Sequence, residues 1–166
     1  MLPSFSSSTL RGLVALLGGV LLLGACQSQT TSDQQQTGPL PEGELTIENP
    51  WVRPGARGDT TALYLTIANG RSNADTLVGA RQAPLYQGVQ LFAADTTAPG
   101  GTRPVDSLIV PPMTRTYLAP DSAYVSLIRL NQPLKKGETV LVTLDFAQGG
   151  LQQVQASVRT RPPSEE

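Results

Sequence analysis

The chain has no histidine, one cysteine and two methionines among its 166 residues. Without histidine, Ser–His and Cys–His nucleophilic pairs are excluded. One cysteine excludes an internal disulfide, so packing alone must hold the fold. Lys and Arg total 12 against 13 Asp and Glu, and Lys135-Lys136 is the only basic cluster. Nothing in that balance points to nucleic acid as a partner. The carboxylates are scattered, with no pair placed for acid–base work and no loop rich enough in them for calcium. Asp106 and Asp121 adjoin turn residues and read as backbone caps, and Lys135 and Lys136 read as a solvated turn. No enzymatic activity is expected.

Also missing is an apolar run long enough to cross a bilayer. The run from Gly12 to Ala25 follows the positive Arg11 and falls short of the roughly 20 residues a span requires. It ends in Leu22-Leu23-Gly24-Ala25-Cys26, which resembles a bacterial lipobox after a signal peptide. That resemblance implies removal of residues 1–25 and lipidation of Cys26, palmitate included. The chain would then face the periplasm of a bacterial envelope, and Gln27 favours the outer membrane. Residues 26–43 are rich in Gln, Ser and Thr and read as a flexible tether. Residues 161–166 read as a tail.

What remains, residues 44–160, reads as one all-β domain. Apolar residues alternate in short runs between turn residues, as in Leu63, Leu65 and Ile67, or Val140, Val142, Leu144 and Phe146. Gly149-Gly150 is a two-residue hairpin signal, and Pro120-Asp121 and Lys136-Gly137 mark further turns. No helical periodicity is sustained. Eight or nine short strands over this length predict a two-sheet Greek-key sandwich.

Five segments resemble the PCu(A)C family of periplasmic copper chaperones, which are cupredoxin-like sandwiches. They are Glu48-Asn49-Pro50-Trp51-Val52-Arg53, the strand Thr61 to Asn69, Asp75 to Ala80, Arg103-Pro104-Val105 with Ile109-Val110-Pro111, and Leu130 to Glu138. Their order and spacing cover nearly all of residues 44–160. The resemblance implies a Cu(I) site built from His and Met side chains, suited to that soft ion. In the same register the four ligand positions hold Phe92, Thr102, Tyr124 and Ser126. Hydroxyls are hard, weak donors, and Phe has none. Met113 is the only methionine beyond the signal segment and cannot replace a multi-ligand site.

No cofactor is therefore expected from the residues, although the family resemblance allows copper. Trp51 reads as core. Phe92 and Tyr124 read as a packed pair filling the vacated site, with a partner patch as the functional alternative. The expectation is a lipid-anchored, non-enzymatic binding or adaptor protein that has lost Cu(I). It would contact the membrane through its lipid and act on another envelope protein. The alternative is an active chaperone for respiratory-oxidase assembly with unusual or partner-shared ligands.

Overall fold

The computed structural model describes residues 38–81 and 84–163. The signal segment, Cys26 and the tether as far as residue 37 lie outside the described residues, as do residues 164–166. Ten strands follow in chain order: β1 (Leu45–Val52), β2 (Thr61–Asn69), β3 (Asp75–Ala80), β4 (Tyr86–Ala94), β5 (Thr102–Val105), β6 (Leu108–Val110), β7 (Thr114–Leu118), β8 (Tyr124–Leu130), β9 (Thr139–Phe146) and β10 (Gly150–Val158). No α-helix occurs among the described residues.

Side-chain alternation fixes which face of each strand is buried. Val140, Val142, Leu144 and Phe146 of β9 are buried, while the residues between them are more exposed. Leu63, Leu65 and Ile67 of β2 point the same way and meet Leu77, Val125, Leu127, Val142, Val154 and Val158 in one apolar cluster. Each fully buried side chain of this size contributes about 1.5–3 kcal/mol.

The hydrogen-bonded order is β5-β4-β8-β2-β1-β10-β9-β3-β6, with β7 pairing on β2. Neighbours are antiparallel except at β1 and β10, which run parallel through Trp51↔Ser157 and Val52↔Val158. Two antiparallel halves thus share one core, as a sandwich does. The short parallel joint makes them one continuous, barrel-like sheet.

The strand beyond the expected eight or nine is β5. Pro104 has no N–H to donate, and the edge position of β5 tolerates that. β1 carries a bulge: Glu48 opposes Thr66, but Trp51 opposes Tyr64. The extra residue falls at Asn49-Pro50, with Asn49 at φ 49, a conformation Asn accepts more readily than most residues. Past the bulge Val52 points inward and Trp51 outward. Trp51 is buried, as expected, but it stands outside the central cluster.

The β9–β10 connection is not the expected two-residue turn at Gly149-Gly150. Gly150 pairs with Phe146 at φ 67, which leaves Ala147, Gln148 and Gly149 as the loop. The cause lies outside the hairpin. The Gln148 N–H donates to Asp75 Oδ1 at 3.0 Å, and the Ala147 N–H donates to the Thr76 carbonyl at 2.9 Å.

Part of the expected tether is also bonded to the domain. The Gly43 N–H donates to the Gly70 carbonyl at 2.9 Å, and Arg115 Nη2 donates to the Gly38 carbonyl at 3.0 Å. Gly70 is required here, because a Cβ would stand 1.6 Å from the Pro41 carbonyl oxygen. The chain therefore enters at the Asn69 end of β2, and the opposite end leads to the site.

Candidate functional site

Strand register brings the four expected ligand positions together. Phe92 on β4 lies opposite Tyr124 on β8 and Pro104 on β5. Thr102 opposes Ala94, and Ser126 lies between Ala62 of β2 and Gln90 of β4. Thr102, Tyr124 and Ser126 line one pocket of about 390 Å³. Phe92 is the second layer behind it, stacked on Tyr124 with centroids 4.8 Å apart and rings 6° from parallel.

The stacked pair is the end of a longer ladder. Tyr124 meets Tyr64 at 6.1 Å, and Tyr64 meets Trp51 at 4.5 Å. The Arg53 guanidinium carbon stands 5.6 Å from the Tyr64 ring centroid, within range of a cation–π attraction. Because β4, β8, β2 and β1 are adjacent, these four rings cross four strands on the outer face. The bulge at Asn49-Pro50 is what brings Trp51 into the row. Cross-strand aromatic pairs of this kind stabilise a sheet beyond their area burial.

As a metal-binding group the site is poor. Its donors are the hydroxyls of Thr102, Tyr124 and Ser126 and the carboxylate of Asp121, none of them a soft ligand for Cu(I). Burial pushes the neighbouring Tyr64 phenol above its usual 10, Arg53 offsets part of that rise, and Tyr124 and Asp121 add to it. Tyr64 is thus held as a neutral phenol. No cluster of three or more His, Cys, Asp or Glu occurs among the described residues. Met113 adjoins Thr114, which pairs with Asn69 at the far end of β2. Five residues at 3.3 Å each put that end about 16 Å along the strand from Tyr64. Met113 is exposed there and takes no part in the site.

Three residues not read as site residues from the sequence belong to the site: Tyr64, Arg53 and Asp121, the last of which was read as a backbone cap. Tyr64 was signalled by a large aromatic at an outward position of β2. Asp121 does sit in a turn, at φ 62, and it lines the same pocket as Arg53. Nothing local in the sequence joins Arg53 to Asp121, since the sheet order brings them together.

The all-β, barrel-like sheet has the cupredoxin-like fold of PCu(A)C copper-chaperone domains. The chain is similar to the copper-bound PCuAC domain from PmoF2, with a TM-score of 0.61 and 25% identity over 75% of this chain and 99% of that one. It is also similar to Cu(I)-bound DR1885 from Deinococcus radiodurans, with a TM-score of 0.55 and 28% identity over 78% and 86% of the two chains. Residues 45–158 match the family model described as "Putative lipoprotein LpqE-like", and the chain belongs to that LpqE-like family. A full-length relative is "Putative lipoprotein Lxx21020" of Leifsonia xyli subsp. xyli, 27% identical over 162 residues, covering 92% of this chain and 93% of that protein.

Proposed function

We propose that this protein is a lipid-anchored, non-enzymatic envelope protein of copper-chaperone descent that no longer captures Cu(I). Its anchor is Cys26, and its domain faces the periplasm, held at the outer membrane. It acts there as a binding or adaptor protein for another envelope component. The observation that carries this reading is the Phe92–Tyr124 stack, 4.8 Å between centroids, which occupies two of the positions where the family resemblance places copper ligands. A Cu(I) carrier must hold its cargo against competing thiols, which takes several soft ligands acting together. This site offers hydroxyls and the single Asp121 carboxylate, all hard oxygen donors.

The four positions lie on the paired strands β4, β5 and β8, so soft donors can be placed there together. Combining Phe92→His, Thr102→Met, Tyr124→His and Ser126→Met should create measurable Cu(I) binding in the purified mature chain. A folded quadruple variant that binds no Cu(I) would show that these are not the ligand positions. The anchor is tested separately by the intact mass of membrane-extracted protein. Acyl mass on a chain beginning at Cys26 is expected. A chain beginning at Met1 without acyl mass would overturn the anchor.

A further inference from the structure

The pocket of about 390 Å³ at the vacated site falls within the volume range of small-ligand sites. Its charged groups are Arg53 and Asp121. Neither makes an ion pair among the described residues, whereas Arg71, Arg81, Arg103 and Arg115 each have a carboxylate partner. Both act on the same group, since the Tyr64 phenol feels the charge of each. Between them the lining is mainly hydroxyl-bearing: Tyr124, Thr102 and the largely buried Ser126. One face of Tyr124 is taken by the stack on Phe92, and its ring also meets the tilted Tyr64 at 6.1 Å.

This arrangement discriminates by charge. A simple anion entering the pocket meets Arg53 but is repelled by Asp121, and a simple cation meets the reverse. A ligand carrying both charges satisfies both groups, and its polar atoms can take hydrogen bonds from the hydroxyls. We propose that the vacated copper site binds a small zwitterion of the α-amino-acid type, with its carboxylate toward Arg53 and its ammonium toward Asp121. This rests on the reading that the site no longer captures Cu(I), and it names what the site takes instead.

The test is an amide-resolved NMR titration of the mature chain with three probes used separately: L-serine, propionate and ethylamine. Serine should give saturable shifts centred on Arg53, Asp121 and Ser126, with propionate and ethylamine at least about ten-fold weaker. Arg53→Gln and Asp121→Asn should each weaken serine by a similar factor. Asn tolerates the positive φ of residue 121, so the second variant changes charge without forcing the turn. The proposal is overturned by no saturable shift at about 20 mM serine, by propionate or ethylamine binding as well as serine, or by either variant leaving serine affinity unchanged. A parallel Cu(I) titration separates the two readings. Copper capture would sink the loss of copper, whereas silence with both copper and serine would sink only the zwitterion.

Discussion

Asp75 shows how much one buried carboxylate can organise. It is 1% exposed, accepts the N–H groups of Thr76 and Gln148, and pairs with Arg71 at 3.4 Å. Removing it leaves two backbone donors without their acceptor, so Asp75→Ala should cost about 2–4 kcal/mol in urea unfolding. At the aromatic ladder, a double-mutant cycle on Phe92→Ala and Tyr124→Ala should return a coupling of about 0.5–1.5 kcal/mol. A coupling near zero would mean that the stack adds nothing beyond burial. Tyrosine titration gives a third residue-scale prediction. Burial raises the phenols of both Tyr64 and Tyr86, and Tyr86 also donates to the Arg81 carbonyl. A raised folded-state pKa favours the protonated form. The stability it confers is therefore complete below the unfolded value, near 10, and is lost as pH climbs through the higher folded values. Urea midpoints should fall as pH rises above about 10, and the fall should be shallower in Tyr86→Phe.

Strands were legible wherever alternation was strong, as in β2 and β9, because a half-buried strand writes its two faces into the sequence. β5 was not, because Arg103 and Pro104 break any alternation in a four-residue edge strand. The β9–β10 loop also escaped. Gly149-Gly150 has the composition of a tight turn, but the loop is held by Asp75, more than seventy positions away. The outward turn of Trp51 depends on the bulge at Asn49-Pro50, which alternation alone does not reveal. An element-scale prediction follows from the loop. Gly150 sits at φ 67, so Gly150→Ala should destabilise by about 1 kcal/mol. At Gly149 a Cβ would stand 2.9 Å from Asp75 Oδ2. Gly149→Ala should therefore also disturb the Asp75 network, seen as faster hydrogen exchange at the Gln148 amide. Unchanged exchange there would argue against a loop anchored by Asp75.

Across the whole molecule, the core belongs to both antiparallel halves, and the parallel pairing of the first and last strands ties them together through Val52 and Val158. That pairing has no local sequence signal, which is why a sandwich was foreseen and a continuous sheet was not. The site was half legible. Phe92, Thr102, Tyr124 and Ser126 were singled out through the family resemblance, and the strand register gathers them at one end of the sheet. The pocket's two charges, Arg53 just after β1 and Asp121 in the β7–β8 connection, line one pocket only in the fold. The central claim is that this frame persists without its copper chemistry, and competition for Cu(I) against a chromogenic chelator tests it most directly. The purified mature chain should leave the chelator's copper signal unchanged at equimolar protein, whereas capture of one copper per chain would contradict the account and restore the chaperone.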